Sequence, residues 1–332
     1  MKLIIPMAGR GTRVRPHSHV TPKPLLSVRG KSMVERIVSL FSSVLPRPLT
    51  TGVFILGPDF GEGVREELRE ICSRYNMDAS FKVQEVARGT AHAVHCAGDQ
   101  LEGEGIVVFA DTLFEMDPVP ALDSDVVMWV KHVDDPRRFG VAVREGDRVV
   151  RLVEKPAEII STEALIGIYY VKDLTRLSDE IDYLIEHNVT GHGDEYQLTD
   201  AFDRMIQADA FITTATVNAW LDCGTIPALL ETTKALLDRE DEPGTQAGSA
   251  TNSVLIPPVY LGPGATVTNS VLGPHVSIEA GAKVSGSVLS DTILFEGASV
   301  ENARLHGSLV GRSAVVAPAP AQLNVGDHAE VR

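Results

Sequence analysis

The chain opens M-K-L-I-I-P-M-A-G-R-G-T-R-V-R-P-H-S-H-V-T-P-K-P-L-L-S-V-R-G-K over residues 1–31, and this stretch decides the fold. Leu3 to Ile5 is a short aliphatic run stopped by Pro6, the pattern of a buried parallel strand about to turn. In the loop that follows, Gly9 and Gly11 let the backbone approach a ligand closely, so that successive N–H groups can point at phosphate oxygens. Arg10, Arg13, Arg15 and Lys23 add positive charge. The stretch reads as a polyphosphate cradle behind a strand. It lacks the Lys-Ser/Thr pair that closes a P-loop and the third Gly of a dinucleotide-binding turn.

Outward from the cradle, helix and strand patterns alternate. Val34, Ile37, Val38, Phe41 and Leu45 have the spacing of a one-faced helix over 33–45, with Ser32 as N-cap and Glu35 placed to complete a capping box. A strand over 52–56, a helix over 63–75 and a strand over 79–83 follow. This order predicts an α/β domain with a mostly parallel sheet covered on both faces.

Ligands of such sheets bind at the carboxyl ends of strands. Gln84 stands at one such end, and Gly89 and Thr90 open the next helix. A side-chain amide both donates and accepts, which suits the O4 and N3–H of uracil or thymine, and Gly89 would let a flat ring lie against backbone. Asp111 closes the apolar run Ile106–Ala110, and Asp222 sits in W-L-D-C-G-T before Gly224. A carboxylate at a strand end beside a phosphate cradle is a natural Mg²⁺ ligand, although Asp also caps turns. Thr199 and Asp200 are expected to cap a helix. His92 and His95 are read as packing or surface histidines, because no third ligand of matching type accompanies them.

After the polar stretch D-R-E-D-E-P-G-T-Q-A-G-S-A-T the texture changes. Aliphatic residues recur at Leu261, Val267, Leu272, Ile278, Val284, Leu289, Leu294, Val300, Leu305, Val310 and Val316, with Gly-Pro, Gly-Ala, Asn-Ser and Gly-Ser pairs between them. This is the hexapeptide pattern of a parallel β-helix, one aliphatic residue per short strand pointing inward. The expected organisation is a catalytic domain over 1–240, a linker over 241–253 and a repeat domain over 254–332. His275 and His306 fall in the repeat and could serve an acyl transfer as bases; solvated turn positions are the simpler reading, with assembly or control as the domain's task.

Composition narrows the classes of function. With 45 Asp and Glu against 30 Lys and Arg, the formal net charge is −15, which argues against broad nucleic-acid or anionic-membrane binding. Cys72, Cys96 and Cys223 are isolated thiols without a C-x-x-C pair, so neither a disulfide framework nor a zinc site is expected. Pro6 and Gly9 interrupt any signal-like segment, and no apolar run has the length of a membrane span. The expectation is a cytoplasmic protein.

The run G-R-G-T-R-V-R-P, its continuation T-P-K-P-L-L and the spacing from Arg13 to Lys23 resemble the signature of the sugar-1-phosphate nucleotidyltransferases, the NDP-sugar pyrophosphorylases. The repeat resembles the left-handed β-helix attached to many of them, so the resemblance covers nearly the whole chain. It implies a Rossmann-like, mostly parallel nucleotidyltransferase domain followed by a left-handed parallel β-helix. Its substrates would be a nucleoside triphosphate and a sugar 1-phosphate, its cofactor Mg²⁺ and its assembly a homodimer or homotetramer. The interval from Gln84 to Gly89 looks like that of members using dTTP or UTP, with glucose 1-phosphate the first choice of sugar. By resemblance, Met7, Ala8, Gly9, Gly11, Thr12, Arg13, Lys23, Gln84, Gly89, Thr90 and Asp111 bind nucleotide. Arg13, Lys23 and Asp111 act in catalysis, and Asp111 and Asp222 hold the metal. The E-K-P at 154–156 implies Glu154 on sugar hydroxyls and Lys155 on the sugar phosphate, with Gly140, Leu165 and Tyr169 completing the sugar contacts. Leu165 stands where some members place Asn, and Gly193 where several thymidylyl members place Arg. Those departures leave GTP with mannose 1-phosphate as an alternative, and a non-catalytic sugar-nucleotide sensor is the alternative of another class.

Overall fold

The computed structural model describes residues 1–9, 11–119, 122–239 and 247–318. Arg10, one of the arginines expected to face phosphate, and residues 241–246 of the expected linker lie outside the described residues.

Two compact units divide the chain: Met1–Leu26 with Lys31–Thr225, and Ser27–Gly30 with Ile226–Arg332. In the first, β1 (Lys2–Pro6) pairs in parallel with β2 (Thr51–Leu56) on one side and β4 (Gly105–Val108) on the other, and β3 (Asp78–Val83) extends β2. Leu3, Ile4 and Ile5 are fully buried, as a central strand covered on both faces requires. The connecting helices are α1 (Met33–Val44), α2 (Glu62–Arg74) and the short α3 (Thr90–His95). Ser32 caps α1, its Oγ accepting the Glu35 N–H at 3.2 Å. Glu35 directs its carboxylate to Arg74 of α2 at 3.0 Å, a partner outside the capping box.

The parallel order stops at β4. Past β5 (Thr112–Glu115), the strands β6 (Val126–His132), β7 (Gly140–Glu145), β8 (Arg148–Glu154) and β9 (Glu163–Val171) follow one another with no α-helix between them. Without a crossover helix, neighbours must reverse direction. Accordingly β9 runs antiparallel to β4 and β6, and β7 and β8 form a hairpin, so the sheet is mixed. Next come α4 (Leu174–Glu186), α5 (Leu198–Gln207), β10 (Ile212–Thr216), which returns parallel to β6, and β11 (Ala219–Asp222), which pairs antiparallel with β5.

The second unit holds α6 (Ile226–Arg239) and three stacked parallel sheets made by the repeat, a parallel β-helix. Leu261, Val267, Leu272, Ile278, Val284, Leu289, Leu294, Val300 and Val310 line its interior as the spacing predicts, while Leu305 and Val316 are partly buried against it. Two boundaries differ from expectation. α6, assigned by sequence to the catalytic domain, groups with the β-helix, and Ser249–Thr251, inside the expected linker, is already a strand paired with Thr266–Thr268. Ser27–Gly30 belongs here too, because the Gly30 N–H donates to the buried Glu279 carboxylate at 3.0 Å and Ser27 bonds Glu296.

A serine ladder ties the coils together. Ser253, Ser270 and Ser287 each donate the hydroxyl to the carbonyl two residues earlier and accept an N–H from the next coil: Ser270 N at 3.1 Å, Ser287 N at 3.0 Å and Ala303 N at 3.1 Å. Ser287 is 1% exposed. Ser287→Ala strands the Ala303 N–H, while the Ser285 carbonyl keeps the Asn302 N–H at 2.9 Å, and is expected to cost about 1–3 kcal/mol in urea denaturation of the purified protein.

Candidate active site

A cleft of about 850 Å³ opens in the first unit at the carboxyl ends of β1, β3 and β4. One wall is the loop after β1. Met7, Ala8, Gly9, Gly11, Thr12 and Arg13 line it, with Lys23 behind them. A Cβ on Gly9 would meet nothing within 4 Å, so that side of the loop faces open cleft. Gly11 is required for another reason: its φ is +54°, and a Cβ there would stand 2.9 Å from the Lys23 Cβ.

Lys23 is buried, 7% exposed, and its ammonium donates to the main-chain carbonyl of Asp111 at 3.2 Å. Burial lowers its pKa, opposed by the nearby Asp111, Cys223 and Asp222 and reinforced by Arg13. The same Asp111 carbonyl accepts the Cys223 N–H at 3.3 Å. Because β11 pairs with β5 so that Asp222 lies opposite Thr112, the two aspartates stand at the same end of one two-stranded ribbon. Both side chains are exposed and both line the cleft; Asp222 Oδ1 also accepts the Gly224 N–H at 2.7 Å. Two carboxylates so placed fit a hard divalent cation, which takes one or two carboxylates and completes its shell with phosphate and water oxygens. Among the described residues no group of three or more His, Cys, Asp or Glu could hold a metal alone, so an ion here would depend on a bound phosphate chain.

Gln84, Gly89 and Thr90 form a second wall. Gly89 has φ +109°, and a Cβ there would come 2.4 Å from the Tyr196 carbonyl oxygen, so this glycine answers to protein backbone before any ligand. The Thr90 Oγ1 accepts the Leu198 N–H at 2.9 Å and donates to Gln197 Oε1 at 3.3 Å, which secures the start of α5. The N-cap position of α5 is Gln197, not Thr199 or Asp200. Thr199 instead lines the cleft and donates to Glu154 Oε2 at 3.3 Å. Asp200 is held above the usual carboxylate range by burial, then by the charges of Glu154 and Asp203.

Gly140, Glu154, Leu165 and Tyr169 make the third wall. Gly140 leaves room for its neighbours, since a Cβ would meet Glu154 Oε2 at 2.8 Å and Leu165 Cδ1 at 3.0 Å. Burial, and then the Glu154 charge, pushes the Tyr169 phenol up, which keeps it a neutral hydroxyl. Lys155 is outside the lining. It is exposed, with φ +44°, and its ammonium lies 3.9 Å from Glu154 Oε1.

Sequence reading missed Trp220, which lines the cleft edge-on to Phe139 at 5.3 Å between centroids and whose buried Nε1 has no hydrogen-bond partner among the described residues. Its place beside Asp222 in W-L-D-C-G-T was the available signal. His92 and His95 are separated in their partners: His92 Nδ1 lies 3.0 Å from Gln84 Nε2, and His95 pairs with Asp182 at 3.0 Å. In the second unit, His275 stands between Asp238 (2.8 Å) and Asp291 (3.4 Å), and His306 lies 3.4 Å from the other Asp291 oxygen. No described helix is long and apolar enough to cross a membrane.

Comparison with known proteins places the chain in a family: residues 2–239 match the nucleotidyl transferase model, and the chain belongs to the nucleotidyl transferase family. It is 28% identical to the bifunctional protein GlmU of Methanocaldococcus jannaschii over 72% of this chain and 55% of that one, spanning about half of that relative's length. It is 27% identical to a glucose-1-phosphate thymidylyltransferase of Streptomyces griseus over all of this chain and 99% of that protein. The fold is that of a UDP-glucose pyrophosphorylase crystallised with UDP-glucose, with a TM-score of 0.58 at 20% identity over 72% of this chain and 99% of the other.

Replacing Gly89 by Ala forces a side chain into the Tyr196 backbone at a positive φ. Equilibrium unfolding without nucleotide is expected to register a loss of about 2 kcal/mol or more.

Proposed function

We propose that the protein transfers a nucleotidyl group from a nucleoside triphosphate to a sugar 1-phosphate, releasing pyrophosphate, with UTP or dTTP and glucose 1-phosphate as the favoured pair. One observation carries this reading: Arg13, Lys23, Asp111, Asp222, Gln84 and Glu154, far apart in sequence, line a single cleft. A sensor of sugar nucleotides would have no need of both cations and both aspartates at one end of it.

The attacking oxygen belongs to the sugar phosphate and is already ionised near neutral pH, so the reaction needs no general base. It forms a bond to the α-phosphorus as the bond to the bridging oxygen of pyrophosphate breaks, and no proton moves. What remains for the protein is positioning and charge stabilisation. Backbone N–H groups of Ala8, Gly9, Gly11 and Thr12 would cradle the phosphate chain, Arg13 would take charge on departing pyrophosphate, and Lys23 would neutralise the reacting phosphates. Asp111 and Asp222 would hold Mg²⁺, which when bound supplies charge neutralisation on nucleotide oxygens. Gln84 would face the base edge, and Glu154, Gly140, Leu165 and Tyr169 the sugar. Lys155 would reach the sugar phosphate by rotating away from Glu154.

Scoring pyrophosphate from five nucleotides against several sugar 1-phosphates tests the assignment, and turnover confined to GTP with mannose 1-phosphate would replace it. Arg13→Ala and Asp111→Ala are each expected to lower turnover at least about a hundredfold, the scale of losing one electrostatic stabiliser. Either purified, folded variant turning over at near the parent rate refutes that role. Chelation of divalent ions is expected to abolish pyrophosphate release, and Mg²⁺ to restore it.

A further inference from the structure

Gln84 is 6% exposed and directly follows β3, its main-chain N–H donating to the Leu56 carbonyl at 2.9 Å. Its side-chain amide lines the cleft, and the amide nitrogen stands 3.0 Å from Nδ1 of His92, eight residues on in the first turn of α3. That turn is itself anchored, since the Ala91 N–H donates to the Tyr196 carbonyl at 2.9 Å. The His92 ring stacks on His95 with centroids 6.3 Å apart. His92 therefore has a fixed place beside the amide.

We infer that His92 is a positioning residue for base recognition: it accepts a hydrogen bond from the Gln84 amide nitrogen and so fixes which end of that amide is carbonyl and which is N–H. The inference rests on the reading of Gln84 as the residue that faces the base. A glutamine amide is nearly symmetric in shape, and rotation by half a turn exchanges its donor and acceptor ends. Burial, then the neighbouring His95 and Arg88, disfavours the charged imidazolium, so the ring is neutral at pH 7 and one ring nitrogen carries a lone pair. The amide nitrogen at 3.0 Å from Nδ1 goes with the tautomer that has its lone pair on Nδ1 and its proton on Nε2, and turning the amide round would require His92 to change tautomer as well.

The consequence is specificity. One amide hydrogen is spent on His92, leaving the carbonyl oxygen and the other N–H for the base. Uracil and thymine offer N3–H and O4, which match that pattern in one orientation. Cytosine offers an acceptor at N3 and a donor at N4, the reverse pattern, and would need the amide turned round against His92. The pair selects uracil and thymine over cytosine without His92 touching the nucleotide.

The test compares kcat/KM for UTP, dTTP and CTP with glucose 1-phosphate in the full-length protein. His92→Phe, with His92→Ala alongside in case the larger ring disturbs folding, is expected to cut the UTP-to-CTP ratio by about tenfold or more, the size of one bidentate base contact. The loss should appear mainly in KM for UTP. His92→Asn, whose side-chain oxygen can accept from the same direction as Nδ1, should restore most of the ratio. In a Gln84→Ala background, His92→Phe should change the ratio no further. A ratio unmoved by both Phe and Ala while Gln84→Ala collapses it overturns the role of His92 alone, as does failure of Asn to restore it. A parent enzyme without preference for UTP or dTTP over CTP, or a ratio unmoved by Gln84→Ala, overturns the base-reading assignment and this inference with it.

Discussion

The main-chain carbonyl of Asp111 is the point on which the cleft depends. It receives the Lys23 ammonium from the glycine loop and the Cys223 N–H from the far end of the domain, and so joins three segments that sequence separates widely. Beside it, pairing of β5 with β11 sets Asp222 opposite Thr112. Like charges at one end of a ribbon repel. Antiparallel hydrogen bonds tolerate that repulsion, and Arg13 and Lys23 lie near enough to offset part of it.

Lys23 illustrates the arrangement's economy of motion. A buried ammonium without a partner would be costly, and here a carbonyl serves as partner within the protein itself. The group is thus held in position in advance, so a phosphate arriving in the cleft meets a charge already desolvated and aimed, the condition under which electrostatic stabilisation is strongest. Gly11 makes that possible, because any side chain at its position would displace Lys23.

Much of this was legible in the chain. Composition and alternation gave the α/β class, the six-and-five spacing gave the β-helix, and glycines, two of the cations and strand-end polar residues marked the cleft lining, whereas Arg15 and Lys155 lie outside it. What escaped has identifiable physical causes. The switch from parallel to antiparallel pairing after β4 depends on the absence of crossover helices over 126–171, a tertiary consequence that short apolar runs do not announce. Thr199 looks like a cap because Thr before a helical run often is one, but burial beside Glu154 offers its hydroxyl a different acceptor. α6 carries an ordinary amphipathic pattern, which says that one face is buried and not against what. His92 could be excluded from a metal site by spacing, yet its bond to Gln84 joins a strand end to a helix and has no local signature.

The serine ladder has a consequence for how this kind of chain can change length. Its rungs are 17, 17 and 16 residues apart, one per coil, and each rung consults only the rung beside it. Insertion of a whole coil would preserve the inward register and every hydroxyl's pair of partners. A residue added within a short strand would turn the side chains beyond it in that strand outward, whereas the turns absorb one, since coils of 17 and of 16 residues both keep the inward set. The repeat is therefore a ruler graduated in turns, open to growth or trimming by whole graduations, with a play of one residue taken up between its short strands.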